Sequence, residues 1–89
     1  MTKKQQKMAR HALGLPNNNN LSYRNHFCAN KESPEYQEWE ELVAKGLATK
    51  RLMGAEWCGD YFYLTPDGAK SVLLPHESIS REDAEAMNR

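Results

Sequence analysis

The stretch that decides the fold is "GLATKRLMGAEWCGDYFYLTPDGAKSVL", which spans residues 46–73. Gly46 is the expected left-handed residue at the end of a preceding helix. Residues 47–52 then predict one strand and residues 61–64 a returning strand, with a loop that contains Gly54 between them. The order is therefore helix end, strand, turn, strand and helix start.

Both faces of the predicted hairpin carry apolar side chains. Phe62 and Leu64 share one face of the return strand, whereas Tyr61 and Tyr63 share the other face with Trp57 if the strand extends back that far. Such a hairpin is either covered on two sides or displays an aromatic surface. We expect the covered arrangement, because large exposed apolar patches are rare on soluble monomers.

A helix is predicted on each side of the hairpin. Ser33 is the N-cap of the helix before it, and Pro34 takes the first helical position. The buried stripe of that helix consists of Tyr36, Trp39, Leu42, Val43 and Leu47. After the hairpin, Thr65 caps a further helix that begins with Pro66 and stops by Pro75. Its inward-facing residues are Ala69, Val72 and Leu73.

The N-terminal segment predicts one more helix. Thr2 caps it, and it runs to about Leu13, where Gly14 and Pro16 are stop signals. The segment 21–29 is ambiguous, because a short apolar run fits a strand or a helical turn equally well. It is open whether this segment adds a third strand.

Together these elements predict a small α+β domain of three helices with a short antiparallel β-hairpin. The 89 residues suffice for one domain, which we place at residues 1–75. Residues 76–89 form a polar tail with almost no apolar content, and we expect it to be flexible. A weak capping box, Ser80 with Asp83, is its one structural signal.

This order of elements resembles a winged-helix domain. The resemblance rests on "LVAKGLATKR" followed by "YFYLTPDGAKSVL". Winged-helix regulators carry an extra helix before the recognition helix, and residues 16–33 look too short and too polar to supply it. The resemblance therefore implies an altered winged-helix-like fold.

The whole chain also resembles small uncharacterised proteins encoded by bacteriophages and prophages. The run "HALGLPNNNNLSYRNHFCA", the helix of Trp39 and "LTPDGA" carry this likeness. It implies a phage accessory or morphogenesis-region protein in the cytoplasm of a bacterial host. It implies no functional residues.

Charge is balanced overall but unevenly distributed. Twelve basic and twelve acidic residues give a formal net charge of zero. Residues 1–31 contain no acid, whereas residues 32–60 are predominantly acidic. Such a separation can steer a charged partner, or it can be satisfied within the molecule if the basic arm folds over the acidic helix.

The charge pattern argues against the usual winged-helix mode of DNA binding. The helix that would enter the major groove, residues 34–46, exposes four carboxylates, and DNA binding relies on Lys and Arg at the phosphates. We therefore expect a protein-binding module. The candidate protein-binding residues are Arg24, Asn25, His26, Glu35, Glu38 and Glu41.

The alternative is a protein that binds DNA or RNA through its basic N-terminal helix and wing. The candidate nucleic-acid contacts are Lys3, Lys4, Lys7, Arg10, Lys50 and Arg51.

The sequence offers no catalytic or metal-binding constellation. Ser22 and His26 could meet on a helix, but no nearby acid would orient the imidazole. His26, Cys28 and Cys58 would need a distant fourth ligand for zinc, so no metal or cofactor is expected. Two free thiols, no membrane span and a cytoplasmic location are the expectations. The oligomeric state is open, because an aromatic hairpin face could close a dimer.

Overall fold

In a computed structural model, residues 1–51 and 59–87 are described, and they form a small α+β domain. This part of the chain contains four helices and one three-stranded antiparallel sheet with strand order β1-β3-β2. The elements are α1 Lys3–Leu13, β1 Phe27–Ala29, α2 Pro34–Ala44, β2 Ala48–Arg51, β3 Asp60–Leu64, α3 Pro66–Lys70 and α4 Arg81–Met87. The α+β class and the antiparallel β2–β3 pair are confirmed, and the ambiguous segment 21–29 supplies β1. The helix α4 was not predicted.

The boundaries of α1 follow from its capping residues, as predicted. The Thr2 hydroxyl accepts a hydrogen bond from the Gln5 amide, and the Gln5 side chain accepts one from the Thr2 amide. Gly14 ends the helix in the left-handed region at φ 80°. Substitution there would be strained, and a Cβ would also meet the ring of Tyr23.

The predicted start of α2 is confirmed, but the helix ends at Ala44 rather than at residue 46, and of its expected buried stripe Val43 and Leu47 are only half-buried. Ser33 is the N-cap and Pro34 the first helical residue, but the Ser33 hydroxyl donates to the Asn30 carbonyl at 2.8 Å instead of capping an amide of α2. Gly46 follows the helix with φ 76°. The left-handed turn lets the chain leave α2 and enter β2 at once.

The core lies between the helices and one face of the sheet. Phe62 of β3 is fully buried, and its ring stacks on Trp39 of α2 with 5.6 Å between centroids. Tyr36 meets Phe62 edge-on, at 5.2 Å. The buried apolar residues are Met8, Ala9, Ala12, Leu13, Leu15, Ala29, Tyr36, Trp39, Leu42, Ala48, Phe62, Leu64, Ala69 and Val72.

The two faces of β3 differ in burial. Phe62 and Leu64 are buried, whereas Tyr61 and Tyr63 on the opposite face are half-buried and contact each other. The described residues therefore cover one face fully and the other in part, where two-sided coverage was expected. The predictions for Gly54 and Trp57 lie outside the described residues.

The segment after α3 is bonded to the domain at several points. α3 ends at Lys70, earlier than the expected stop at Pro75. Leu21 and Ser78 form a parallel bridge, and the Ser80 hydroxyl accepts from the Asp83 amide. This is one of the two bonds of the expected capping box, since the Ser80 amide donates to the Ser22 hydroxyl instead. These contacts extend beyond the expected domain boundary at residue 75. Flexibility of the tail stays a prediction.

Cys28 of β1 is disulfide-bonded, so the prediction of a free thiol at this position is wrong. The sequence contains one other cysteine, Cys58, which lies outside the described residues. Residue spacing alone gave no sign of this bond at Cys28, because the fold decides which cysteines approach each other.

The connection between α1 and α2 contains no helix. Residues 14–33 are all described, and they hold turns, a bridge residue and β1. The extra helix that the winged-helix resemblance implies is thus missing, as its short, polar sequence indicated. No helix in the described ranges has the length and apolar character needed to cross a membrane.

Candidate functional site

A groove of about 760 Å³ runs along the outer face of α1, and we call it the α1 groove. Lys4, Lys7 and His11 follow one another at helical spacing, so their side chains share one face of α1. The groove is lined by Lys4, Gln6, Lys7, Met8, Arg10, His11, Leu15, Pro16, Phe27 and Glu35.

The α1 groove combines apolar lining with basic edges. Met8 and Leu15 are 7% and 5% exposed, so only a small part of each apolar side chain faces the groove. Lys4 and Lys7 are exposed, and neither forms an ion pair among the described residues. Glu35 is the one carboxylate in the lining. An apolar chain segment with acidic side chains would complement this surface.

A second, smaller cavity of about 290 Å³ adjoins the first, and we call it the basic cleft. It shares His11 and Phe27 with the α1 groove. Its described lining residues are His11, Arg24, His26, Phe27, Cys28 and Tyr61, and there is no carboxylate among them. The two cavities thus form one continuous surface with an apolar groove at one end and clustered basic groups at the other.

Contacts with neighbouring groups position the basic side chains of the cleft. The Arg24 guanidinium donates through Nε and Nη2 to the His11 carbonyl, at 3.2 and 2.7 Å. It also lies over the ring of Tyr23, 5.3 Å from the centroid. His11 meets Phe27 edge-on at 5.8 Å, and His26 meets Tyr61 edge-on at 6.1 Å.

The candidate protein-binding residues do not form one surface. Arg24 and His26 meet in the basic cleft. Asn25, between them in sequence, is committed to the fold: its side chain accepts from the Leu64 amide at 2.9 Å and donates to the Leu64 carbonyl at 3.0 Å. The paired bonds let the Asn25 amide group continue the β1–β3 ladder where β1 has not yet begun, so its polar atoms are occupied.

The acidic candidates of α2 are likewise divided. Glu35 lines the α1 groove. The Glu41 carboxylate accepts a hydrogen bond from the buried Gln5 side chain of α1, at 2.9 Å. Glu38 is half-buried and lines none of the cavities described here. The basic arm therefore does pack against the acidic helix, but through a glutamine rather than its lysines.

Arg10 is the nucleic-acid candidate with the most extensive structural role. Its guanidinium makes two hydrogen bonds to the carboxylate of Glu77, one of them 2.7 Å long, and a third to the Val72 carbonyl at 2.9 Å. The Glu77 side chain is 1% exposed. The hydrogen bonds from Arg10 lower the pKa of Glu77 to about 2. This pair holds the segment after α3 against α1.

The remaining nucleic-acid candidates are separated in space. Lys3, Lys4 and Lys7 are exposed on α1. Lys50 and Arg51 line a different cavity of about 550 Å³, on the β2 side of the sheet, which shares no lining residue with the α1 groove.

Lys50 takes part in a small polar network on that side. Its ammonium group lies 3.4 Å from the Tyr36 hydroxyl and 3.5 Å from the Glu40 carboxylate. Tyr36 donates to the buried Asp60 carboxylate at 2.7 Å, and this hydrogen bond raises the pKa of Tyr36. Lys50 of β2 thus links the sheet to α2.

Sequence reasoning missed two residues that the cavities share, His11 and Phe27. The position of His11 four residues after Lys7 was a signal that could have found it, because it places both on one face of α1. No such signal marks Phe27. Neither position could be linked to Arg24 and His26 without knowing where β1 lies.

Among the described residues, the serine and histidine that the sequence offered as a catalytic pair are not assembled into one. Ser22 is 1% exposed, and its hydroxyl donates to Asp83 at 2.6 Å, so it is not available as a nucleophile. Within residues 1–51 and 59–87, no three His, Cys, Asp or Glu side chains cluster in a way that could hold a metal ion. Comparison with known proteins gave no match to a family model, a curated protein or a solved structure.

Proposed function

We propose that the chain is a small, non-enzymatic accessory protein of the phage type that binds an acidic, partly apolar segment of another protein in the α1 groove. The observation that carries this proposal is the juxtaposition of Lys4 and Lys7 with the apolar lining from Met8, Leu15 and Phe27. The phage assignment itself rests on the sequence resemblance alone.

Physical complementarity selects the partner. Burying apolar side chains against the groove lining would supply most of the binding energy, at about 25 cal/mol per Å² removed from water. Carboxylates on the partner would speed encounter and fix its register against the two lysines. A partner segment with basic side chains would be rejected by the same lysines.

The winged-helix-like architecture is consistent with a binding role. We propose that the β1-β3-β2 sheet with α2 before the hairpin is an altered winged helix that has lost its extra helix. Its α2 would be a poor major-groove reader, because it exposes carboxylates. In this proposal the chain keeps the winged-helix-like fold but does not bind the major groove of DNA.

A cytoplasmic location in a bacterial host remains part of the proposal. The disulfide of Cys28 weighs against it, since disulfides are rare in reducing compartments. Measuring the free-thiol content of protein isolated from the producing cell would decide between a reduced and an oxidised compartment.

A selection from a random peptide library on the immobilised protein tests the proposed function. We expect enriched peptides to combine Asp or Glu with large apolar residues. The variant Lys4→Glu/Lys7→Glu should lose these peptides, whereas the matched variant Lys31→Glu/Lys45→Glu, which makes the same charge change outside the groove, should keep them. Failure to enrich acidic peptides, or equal losses in both variants, would refute the proposal.

Nucleic-acid binding is the second candidate function. It is favoured by one observation: the exposed α1 lysines continue into the basic cleft, and Tyr23 is 64% exposed beside Arg24. Single-stranded nucleic acid can stack on such an aromatic ring while its phosphates meet basic side chains. A titration of duplex and single-stranded DNA at rising salt tests it, with steeply salt-dependent binding as the expected sign. No binding at low salt removes this candidate.

A further inference from the structure

The basic cleft gathers three groups that can carry positive charge from separate parts of the chain. His11 comes from α1, and Arg24 and His26 come from the segment that leads into β1. The remaining lining groups are the Phe27 and Tyr61 rings and Cys28, which is disulfide-bonded. Among the described lining residues no carboxylate neutralises the three groups, so this part of the cleft suits an anion.

The role of Arg24 as a helix cap accounts for only part of this arrangement. Its Nε and Nη2 donate to the His11 carbonyl near the C-terminal end of α1, which also accepts a hydrogen bond from the Gly14 amide at 3.0 Å. This contact fixes the guanidinium and leaves Nη1 able to donate. The two histidines are exposed, and in the described part of the chain their rings pack edge-on against Phe27 and Tyr61.

We infer that the basic cleft binds a phosphoryl group carried by the protein segment that occupies the α1 groove. A phosphoryl group has close to two negative charges and three strong acceptor oxygens, and therefore suits a cavity lined by three nitrogen-bearing side chains better than a carboxylate does. That a protein segment carries the phosphoryl group rests on the proposed function. The shared residues His11 and Phe27 would bring the phosphorylated side chain directly beside the groove.

The cleft itself is tested without any partner. Inorganic phosphate is titrated into the full chain at constant ionic strength, with chloride as the control anion, and the backbone and imidazole resonances are followed by NMR. We expect saturable shifts at His11, Arg24 and His26 and at least a fivefold weaker affinity in His11→Gln/His26→Gln. The variant His76→Gln, which removes an exposed histidine outside the cleft, should bind phosphate as the unchanged protein does.

Several results would overturn the phosphate site. Shifts that do not saturate, that spread evenly over the lysines, or that persist in His11→Gln/His26→Gln would show general charge attraction only. An unchanged unfolding transition of the double variant, whose substituted residues are exposed, ensures that lost binding reflects the cleft rather than lost fold.

The source of the phosphoryl group is tested by measuring the affinity of an acidic, apolar peptide from the library selection, with and without one phosphoserine. The affinity of a 5′-phosphorylated oligonucleotide is measured for comparison. We expect phosphorylation to tighten peptide binding at least fivefold, and the gain to vanish in His11→Gln/His26→Gln. Tighter binding of the oligonucleotide would overturn the protein source. If no peptide is selected but inorganic phosphate still binds, the proposed function is refuted, whereas the phosphate site in the basic cleft is supported.

Discussion

Two basic side chains of α1 that both line the α1 groove serve different purposes. Arg10 is paired with a buried carboxylate and holds the C-terminal segment in place, whereas Lys7, three residues earlier, is exposed and has no ion-pair partner in the described part of the chain. In the sequence, both belong to one basic run. The difference teaches that a basic side chain is available to bind a partner only where the fold does not pair it with a carboxylate.

Breaking the Arg10–Glu77 pair should have the largest effect on stability. Arg10→Met leaves a carboxylate that is 1% exposed without its cation, and we expect a loss of about 3–5 kcal/mol in the free energy of unfolding. Urea denaturation measures this loss. Arg81→Met is the matched control, because the Arg81–Glu85 pair is 93% and 64% exposed and should contribute under about 1 kcal/mol. Equal effects in the two variants would refute the distinction.

Acid should remove the same contribution in the unchanged protein. Because the hydrogen bonds from Arg10 lower the pKa of Glu77 in the folded state to about 2 from its ordinary value of 4.5, its stabilisation is complete above about pH 4.5 and is lost as pH falls toward 2. The loss should amount to roughly 2–3 kcal/mol. Denaturation across this range should show a shallower pH dependence for Glu77→Gln. Parallel curves for the two proteins would show that Glu77 does not titrate as described.

A smaller effect should follow from releasing α4. The Ser22 hydroxyl donates to Asp83 and accepts from the Ser80 amide, so Ser22→Ala removes both contacts at the start of this helix. We expect amide exchange in α4 to become faster by an amount equivalent to about 1 kcal/mol. If α4 already exchanges like an unfolded chain before the substitution, the expected flexibility of the tail is correct and these contacts do not hold it.

The smallest stability effect should come from the exposed side of α1. Lys4→Glu/Lys7→Glu should change the free energy of unfolding by no more than about 0.5 kcal/mol, since neither ammonium group has a described ion-pair partner. Thermal denaturation measures this change against Lys31→Glu/Lys45→Glu. A loss as large as that of Arg10→Met would mean that the lysines stabilise the fold and are not free to bind.

The elements that local chemistry determines could be predicted from the sequence. Thr2 and Gly14 fix the ends of α1, and Pro34 and Gly46 mark the limits of α2, because each acts on its own backbone. β1 could not be assigned, since three residues are too few for a pattern and its pairing with β3 depends on the whole fold.

The candidate site was only partly predictable, because it depends on contacts between distant residues. Arg10 and Glu77 lie 67 positions apart, and the polar segment around Glu77 gave no sign of burial. Asn25 looked like a free recognition group until its side chain was found bonded to the backbone of Leu64. The histidine and arginine that share the basic cleft with His11 become its neighbours only after the chain folds back beside α1.

The most direct test of the account is the NMR footprint of a selected acidic, apolar peptide on the protein. The account predicts shifts concentrated along Lys4, Lys7, Met8, His11 and Phe27. These shifts should be lost in Lys4→Glu/Lys7→Glu and retained in Lys31→Glu/Lys45→Glu. A footprint centred on α2 and β2, or one that survives the charge reversal on α1, would contradict it.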